Sequence, residues 1–480
     1  MDNVVTLKEE SGKYFGYSVV MFNNQDGNWV LVGAPKDTFT HSHEIKTPGN
    51  VYKCKVNLIT QEKCTKLMIR TIEDRNDTHR EEDHQLLGAS MAVFNESIVM
   101  CAPLWKIMKG NRSEPVGRCY SVDKSLGHDY STSFNLSYNE SGNSYAQAGF
   151  AVSSKALQDK QRQTVLMGAP GLHHWKGGFI SLNLENIQRF QRYSHVSIHS
   201  DIKKAIVNNT LMGYSITTGK LAQKHDCSKT VVLGAPYFKT AEGITGSVLV
   251  VCLTTNKSMT VKKQVSGKMH GSGFGTALVF EDINGDGLDD LIVGAPFNRI
   301  DSGEVCVYYG TDTDDVLVKS QQELTMSIPG RFGSAIQCVG DLNKDGYKDM
   351  NRTLNGYSSQ KDITVLCAKK TALKRGTGQK LGSIGHAFAG GSPAKAICYQ
   401  RCTKLICQMK DIAVGAPYQR DLRGSVYIYH GGPTSLTFTQ EIRSEEVGRN
   451  LLSFGWFIST PVDIDQNGYT GYIYFYLRIT

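Results

Sequence analysis

The sequence predicts an all-β protein: a seven-bladed β-propeller built from four-stranded blades, with the seventh blade incomplete. Three observations carry this expectation. An apolar run ending in Gly-Ala-Pro or a close variant recurs as VLVGAP (30–35), IVMCAP (98–103), VLMGAP (165–170), VVLGAP (231–236), LIVGAP (291–296) and IAVGAP (412–417). A Gly-centred landmark recurs as FGYSV (15–19), LGASM (87–91), AGFAV (148–152), MGYSI (212–216), FGTAL (274–278), FGSAI (332–336) and FGWFI (454–458). Glycine is abundant, 48 residues against 12 prolines, which favours an architecture of many tight turns.

Taken in order, each unit reads strand, loop, strand, turn, strand, then a more variable outer strand. The first strand opens at the Gly-centred landmark, where glycine allows close approach of neighbouring backbones. The second ends at Gly-Ala-Pro, because proline cannot donate to a ladder. The third follows a glycine, as in GNVYKC (49–54), GGFISL (177–182), GSVLVV (246–251), GEVCVYYG (303–310) and GSVYIYHG (424–431). One such unit cannot bury both of its faces alone, so units of about 60 residues must stack side by side. The 60–68-residue period is short for a tandem array of sandwich domains.

The first residues of the tripeptides stand at 33, 101, 168, 234, 294 and 415, giving steps of 68, 67, 66, 60 and 121. The last step is double the others. Residues 351–410 are therefore expected to be a non-repeat insertion outside the fold, splitting the chain into 1–350 (blades 1 to 6, first part), 351–410, and 411–480 (the rest of blade 6 and a partial blade 7). The KD at 348–349 and the KD at 410–411 mark its joins, and its excision leaves a regular DLNKDGYKDIAVGAP. The reading favours an error of sequence assembly or splicing over a natural surface loop.

Charge follows the same boundary. The chain carries +8, but 351–410 alone carries eleven Lys/Arg and one Asp, a net +10, which leaves the remainder at −2. A nucleic-acid or membrane-surface role read from overall charge therefore fails.

Twelve cysteines occur with no CxxC pair; Cys54/Cys64 and Cys101/Cys119 have the short spacing of local disulfides. Seven sequons lie outside the insertion, at Asn76, Asn95, Asn111, Asn135, Asn139, Asn208 and Asn256. Roughly two to three are expected by chance, so the excess points to glycosylation in the secretory pathway. Met1 is followed by no apolar leader core, and no run of about 18 apolar residues occurs. Read with the repeats, this leads us to expect a fragment of a longer chain.

Acidic loops fall between the landmarks of the last three units: DINGDGLDD (282–290), DLNKDGYKD (341–349) and DIDQNGY (463–469). Oxygen side chains at positions 1, 3, 5 and 9, with Gly at 6, suit calcium: short carboxylates and amides on alternate residues converge while Gly permits the turn. The expected ligands are Asp282, Asn284, Asp286, the carbonyl of Leu288 and Asp290; Asp341, Asn343, Asp345, the carbonyl of Tyr347 and Asp349; and Asp463, Asp465, Asn467 and the carbonyl of Tyr469. Position 9 of the third loop is Gly471, so its set is incomplete. The strand-like flanks and the lack of a carboxylate at position 12, which is Val293 or Arg352, exclude an EF-hand. A solvated Asp/Asn/Gly turn remains the plain alternative for any single loop. NNQDGN (23–28) is only a partial match. No nucleophile accompanies the loops, so no enzymatic activity is expected.

Aromatic-Gly followed by Gly-Ala-Pro resembles the FG-GAP repeat, and seven of them resemble the head of an integrin α chain. The resemblance extends over nearly all of the chain outside 351–410, including both Cys pairs, EPVGRCY (114–120) and PGLHHWKGG (170–178). It implies the type without an inserted domain, since unit 2 ends near Val122 and unit 3 begins near Ala148. It further implies a calcium-dependent adhesion receptor on the cell surface, paired with an integrin β subunit and binding a matrix or cell-surface protein. Any membrane attachment would come through segments outside this sequence. The ligand face would include His174 and Trp175, beside His173, and Asn208 and Asn209 where receptors for Arg-Gly-Asp place aspartates. Two amides give a guanidinium no charge-assisted partner, which puts Arg-Gly-Asp recognition in doubt. A soluble secreted FG-GAP binding protein is the alternative, as is a fragment of a glycosylphosphatidylinositol-cleaving phospholipase; the latter requires a zinc domain that no residues before the first unit supply.

Overall fold

The computed structural model describes residues 14–38, 46–56, 64–67, 80–94, 97–126, 144–153, 162–183, 209–220, 229–253, 259–311, 322–340, 410–432, 434–447 and 451–461, with the short stretches 4–7, 69, 132–135, 155, 157–159, 363–366 and 472–475. Six antiparallel four-stranded sheets follow the repeat. In blade 1 the order is Ser18–Asn24, Gly27–Ala34, Asn50–Lys55 and Thr65–Lys66; in blade 5 it is Ala277–Glu281, Asp290–Ala295, Glu304–Tyr308 and Gln322–Thr325. Strand order equals chain order in blades 1, 2, 4, 5 and 6; in blade 3 both Ala151–Val152 and Leu157–Asp159 pair with Arg162–Gly168, which also pairs with Phe179–Asn183.

Blade 6 is reassembled across the long step. Ala335–Gly340 pairs with Asp411–Ala416 in the register Ala335↔Gly415, matching Ala277↔Gly294 in blade 5. Within 351–410, Ile363–Leu366 is described as a strand, and together with Lys410 it belongs to the folded structure. It enters a further sheet whose order is Val4–Leu7, Ile363–Leu366, Tyr472–Phe475 and Phe457–Ile458. Four residues of the segment expected to stand outside the fold are thus paired in this sheet.

The core lies between blades rather than within them. Ile292, Val305 and Val307 of blade 5 pack with Phe332, Ile412, Val414 and Tyr427 of blade 6, all buried. Phe454 and Ile458 join blade 6 residues Val426 and Ile428, while Phe457 packs on the blade 1 cluster around Val19 and Val32.

The repeated motif acquires a physical meaning here. The Gly of each Gly-Ala-Pro faces the landmark Gly of the next blade. A Cβ on Gly294 would stand 2.1 Å from the Gly333 carbonyl oxygen, and one on Gly415 1.9 Å from that of Gly455. Blade 2 carries Cys101 in that place, bonded to Cys119; a Cβ on the facing Gly149 would meet both sulfurs. The Cys54–Cys64 disulfide ties the two outer strands of blade 1. Cys252 is also disulfide-bonded, whereas Cys306 and Cys338 are buried free thiols.

Candidate metal loops and ligand-facing rim

Blade 5 presents the acidic loop complete. Asp282 Oδ1 accepts the N–H groups of Gly285 (2.7 Å) and Asp286 (3.2 Å), and its Oδ2 accepts that of Gly287 (2.9 Å). Asn284 Oδ1 accepts from Asp286 N (3.1 Å), and Asp286 Oδ1 from Leu288 N (2.8 Å). Asp290 is fully buried at the start of the second strand, with Oδ2 on Ile283 N (2.9 Å) and Oδ1 on Gly310 N (2.7 Å). Burial pushes its carboxyl up to about 7; the Gly310 and Ile283 N–H groups oppose this, while Asp286 and Asp282 add to it.

A buried carboxylate beside two others costs free energy that a bound cation would offset. The donors are hard oxygens, the set a calcium ion takes. Among the described residues, however, no three acidic, His or Cys side chains are gathered at metal-binding distance. The loop's oxygens instead accept from its own backbone amides, from the Asn284 side-chain amide and, at Asp290, from Gly310 N. The loops at 341–349 and 463–469, with Asp341, Asn343, Asp345, Tyr347, Asp349, Asp463, Asp465, Asn467 and Tyr469, lie outside the described residues.

One acidic residue went unassigned by the sequence reading. Asp411 opens the second strand of blade 6 as Asp290 opens that of blade 5, and Gly431 N donates to Asp411 Oδ1 (3.1 Å) as Gly310 N does to Asp290. His430 Nδ1 lies 3.0 Å from its other oxygen. The repeated KD was the available signal, but the sequence does not say which copy heads the strand.

Beside the blade 5 loop sits an ionic clasp. Glu281 ends the first strand of blade 5 and takes Lys155 of blade 3 on Oε1 (2.8 Å) and Lys410, next to blade 6, on Oε2 (2.7 Å). Lys155 Nζ also donates to the Phe280 carbonyl (2.7 Å), and Lys220 N of blade 4 to Asp289 Oδ2 (2.7 Å). Burial raises the Glu281 carboxyl, but the two ammonium groups outweigh it and hold the group below its ordinary value. Four consecutive blades are thereby tied together next to the acidic loop. Glu281→Gln is expected to cost about 1–3 kcal/mol, reading as a hydrogen bond to charge in a half-buried site. Glu114→Gln, whose partner Lys109 lies within one hairpin, should cost less in urea unfolding. Equal midpoints for the two variants would remove the clasp as a stabilising element.

Large exposed apolar side chains fall on loops after Gly-Ala-Pro or before the next landmark, among them Tyr145, Trp175, Tyr237, Phe297, Ile300 and Leu422. Ile300 is 92% exposed. The four-residue turns Leu172–Trp175, Asn298–Asp301 and Gln419–Leu422 carry three of them. Backbone at positive φ in His173, His174 and Trp175 turns that loop outward, and the Trp175 ring lies 6.5 Å from that of Tyr145. Leu211 N donates to the Trp175 carbonyl (3.4 Å) and Thr210 Oγ1 to that of Lys176 (2.6 Å), so exposed Asn209 stands beside the His174 turn. Asn208 lies outside the described residues.

Of the sequons, Asn111 is exposed at the tip of the hairpin Lys106–Lys109/Arg112–Pro115, and the backbone of Asn135 pairs with Arg118. Asn76, Asn95, Asn139 and Asn256 lie outside the described residues. Arg118, in the EPVGRCY stretch, is 2% exposed, with its guanidinium 5.0 Å from the Trp105 ring and 5.3 Å from that of Tyr120.

Comparison with known proteins agrees with this architecture. The FG-GAP repeat family matches residues 274–308. The chain is 27% identical to integrin alpha-4 of Xenopus laevis over 487 residues (96% of this chain, 39% of that protein) and 29% identical to integrin alpha-8 of Mus musculus over 502 (98% and 40%). It is 30% identical to integrin alpha-8 of Homo sapiens over 381 residues, 73% of this chain and 34% of that protein. Fold, repeat and likeness together define an FG-GAP β-propeller. More particularly, the chain resembles the heads of integrin α chains. It spans about two fifths of the length of these relatives.

Proposed function

We propose that this chain is the ligand-binding head of an adhesion-receptor α subunit, exposed outside the cell, pairing with an integrin β subunit and binding a matrix or cell-surface protein. The observation that carries the reading is the run of FG-GAP blades, with large apolar side chains exposed on loops after Gly-Ala-Pro and before the landmarks, where a monomer gains nothing by exposing them. In this reading the last sheet is a seventh blade closing the ring, the head has no inserted domain, and the amides at 208–209 do not hold the arginine of an Arg-Gly-Asp ligand. Co-expression with an integrin β ectodomain in calcium is expected to yield a complex that loosens on chelation. A monomer whose stability ignores calcium would refute the assignment.

Calcium is proposed for the loops of blades 5 to 7, held by hard oxygens at positions 1, 3, 5 and 9 together with the position 7 carbonyl. In blade 6 the ninth place is assigned to Asp411 in place of Asp349, since it occupies the position and amide contact of Asp290. Terbium luminescence titration of Asp411→Asn should show one site weakened at least tenfold, with Asp349→Asn near wild type. The reverse pattern would return the role to Asp349.

A further inference from the structure

We infer that the 351–410 segment closes the propeller by donating Ile363–Leu366 as the third strand of the last sheet. This deepens, and rests on, the reading of that sheet as a seventh blade. In blade 5 the third place belongs to Glu304–Tyr308, the strand that follows the second in the chain, and in blade 6 to Ser425–His430 on the same pattern. In the last sheet the second place is Tyr472–Phe475, paired to Phe457–Ile458. Its third place is filled from far earlier in the chain: Thr364↔Tyr474, Val365↔Ile473 and Leu366↔Tyr472, all antiparallel. On the other edge the same strand carries Val4↔Leu366, Val5↔Val365, Thr6↔Thr364 and Leu7↔Ile363.

The donated strand is therefore the link between the N-terminal strand and the last sheet. Take it away, and among the described strands Val4–Leu7 has no mate and Tyr472–Phe475 keeps only Phe457–Ile458. Its residues Ile, Thr, Val and Leu suit a ladder, three of the four being β-branched. The arrangement is strand addition within one chain, with backbone hydrogen bonds supplying the attachment. The long connections on either side are little obstacle, because loop-closure entropy grows only slowly with length.

The test uses the full chain and amide hydrogen exchange, with Ser247–Leu253 of blade 4 as an internal reference. Val365→Pro, which removes a ladder donor at the centre of the donated strand, should speed exchange at least tenfold in both 4–7 and 472–475, leaving blade 4 unchanged. Ser383→Pro, in the same segment, should change neither. If Val365→Pro leaves both protected while Val5→Pro opens 472–475, the N-terminal strand pairs there directly; strand donation then fails and the seventh blade stands. If neither substitution alters 472–475, strand donation and the seventh-blade reading fall together. Should Val365→Pro prevent folding, the Thr364→Cys/Tyr474→Cys pair serves instead. It should crosslink on mild oxidation, and its failure to do so in a folded chain overturns the inference.

Discussion

Gly294→Val is expected to lower the urea unfolding midpoint sharply, by about 3 kcal/mol or more. Valine is a better strand residue than glycine, so local preference alone would predict a gain. The loss arises between blades. The added Cβ would stand 2.1 Å from the Gly333 carbonyl oxygen and 3.1 Å from its carbon, and both obstacles are backbone. Relief would require blade 6 to move away from blade 5, opening the cluster that includes Ile292, Phe332 and Val414. Gly110→Ala is the contrast: nothing lies within 4 Å of its Cβ, and only its φ of +59° opposes the change, at about 1 kcal/mol. An unchanged midpoint for Gly294→Val would mean that close backbone approach is not why glycine recurs there.

Phe332→Ala is expected to cost about 3–5 kcal/mol, the range for a fully buried phenylalanine whose neighbours cannot collapse into the space. Phe332 has no exposed surface and meets Tyr427 edge-on at 5.5 Å and Tyr429 at 6.3 Å. Its backbone also bridges Gly303 of blade 5. The side chain thus occupies the seam between blades 5 and 6, and a cavity there weakens both. Phe332→Leu keeps most of the volume and should lose markedly less. If thermal unfolding finds the two equal, ring geometry rather than volume holds the seam.

The legible parts of the protein were those written locally. Alternating apolar runs, the Gly-centred landmark and the Gly-Ala-Pro stop placed the inner strands of the six blades, because each is a short-range preference of the chain. The blade 5 turn was legible for the same reason: Asp282, Asn284, Asp286 and Asp290 lie within nine residues, in a pattern that favours a tight Asp/Asn/Gly turn. Both short-range disulfides were legible because a hairpin brings such cysteines together.

Less visible was whatever depends on strands distant in sequence. The clasp on Glu281 draws Lys155 and Lys410 from blades on either side, and nothing in the local sequence marks these three residues as neighbours. Arg118 is buried against the rings of Trp105 and Tyr120, a placement the EPVGRCY stretch does not spell out. Of the two KD pairs, only the register of blade 6 gives Asp411 the place at the head of the strand.

By itself, then, the sequence determined the repeat, the blade and the acidic composition of the blade 5 loop, because a strand and a turn are each specified within a few residues. Only the tertiary structure decided how the units meet: that glycine faces glycine across each seam, that Cys101 and Cys119 fill the seam where glycine is absent, and that Ile363–Leu366 sits between strands from the two ends of the chain. Blade contacts join residues some sixty positions apart, and the last sheet joins residues hundreds apart. Such pairings are selected by burial and backbone hydrogen bonding between blades, which no local pattern encodes.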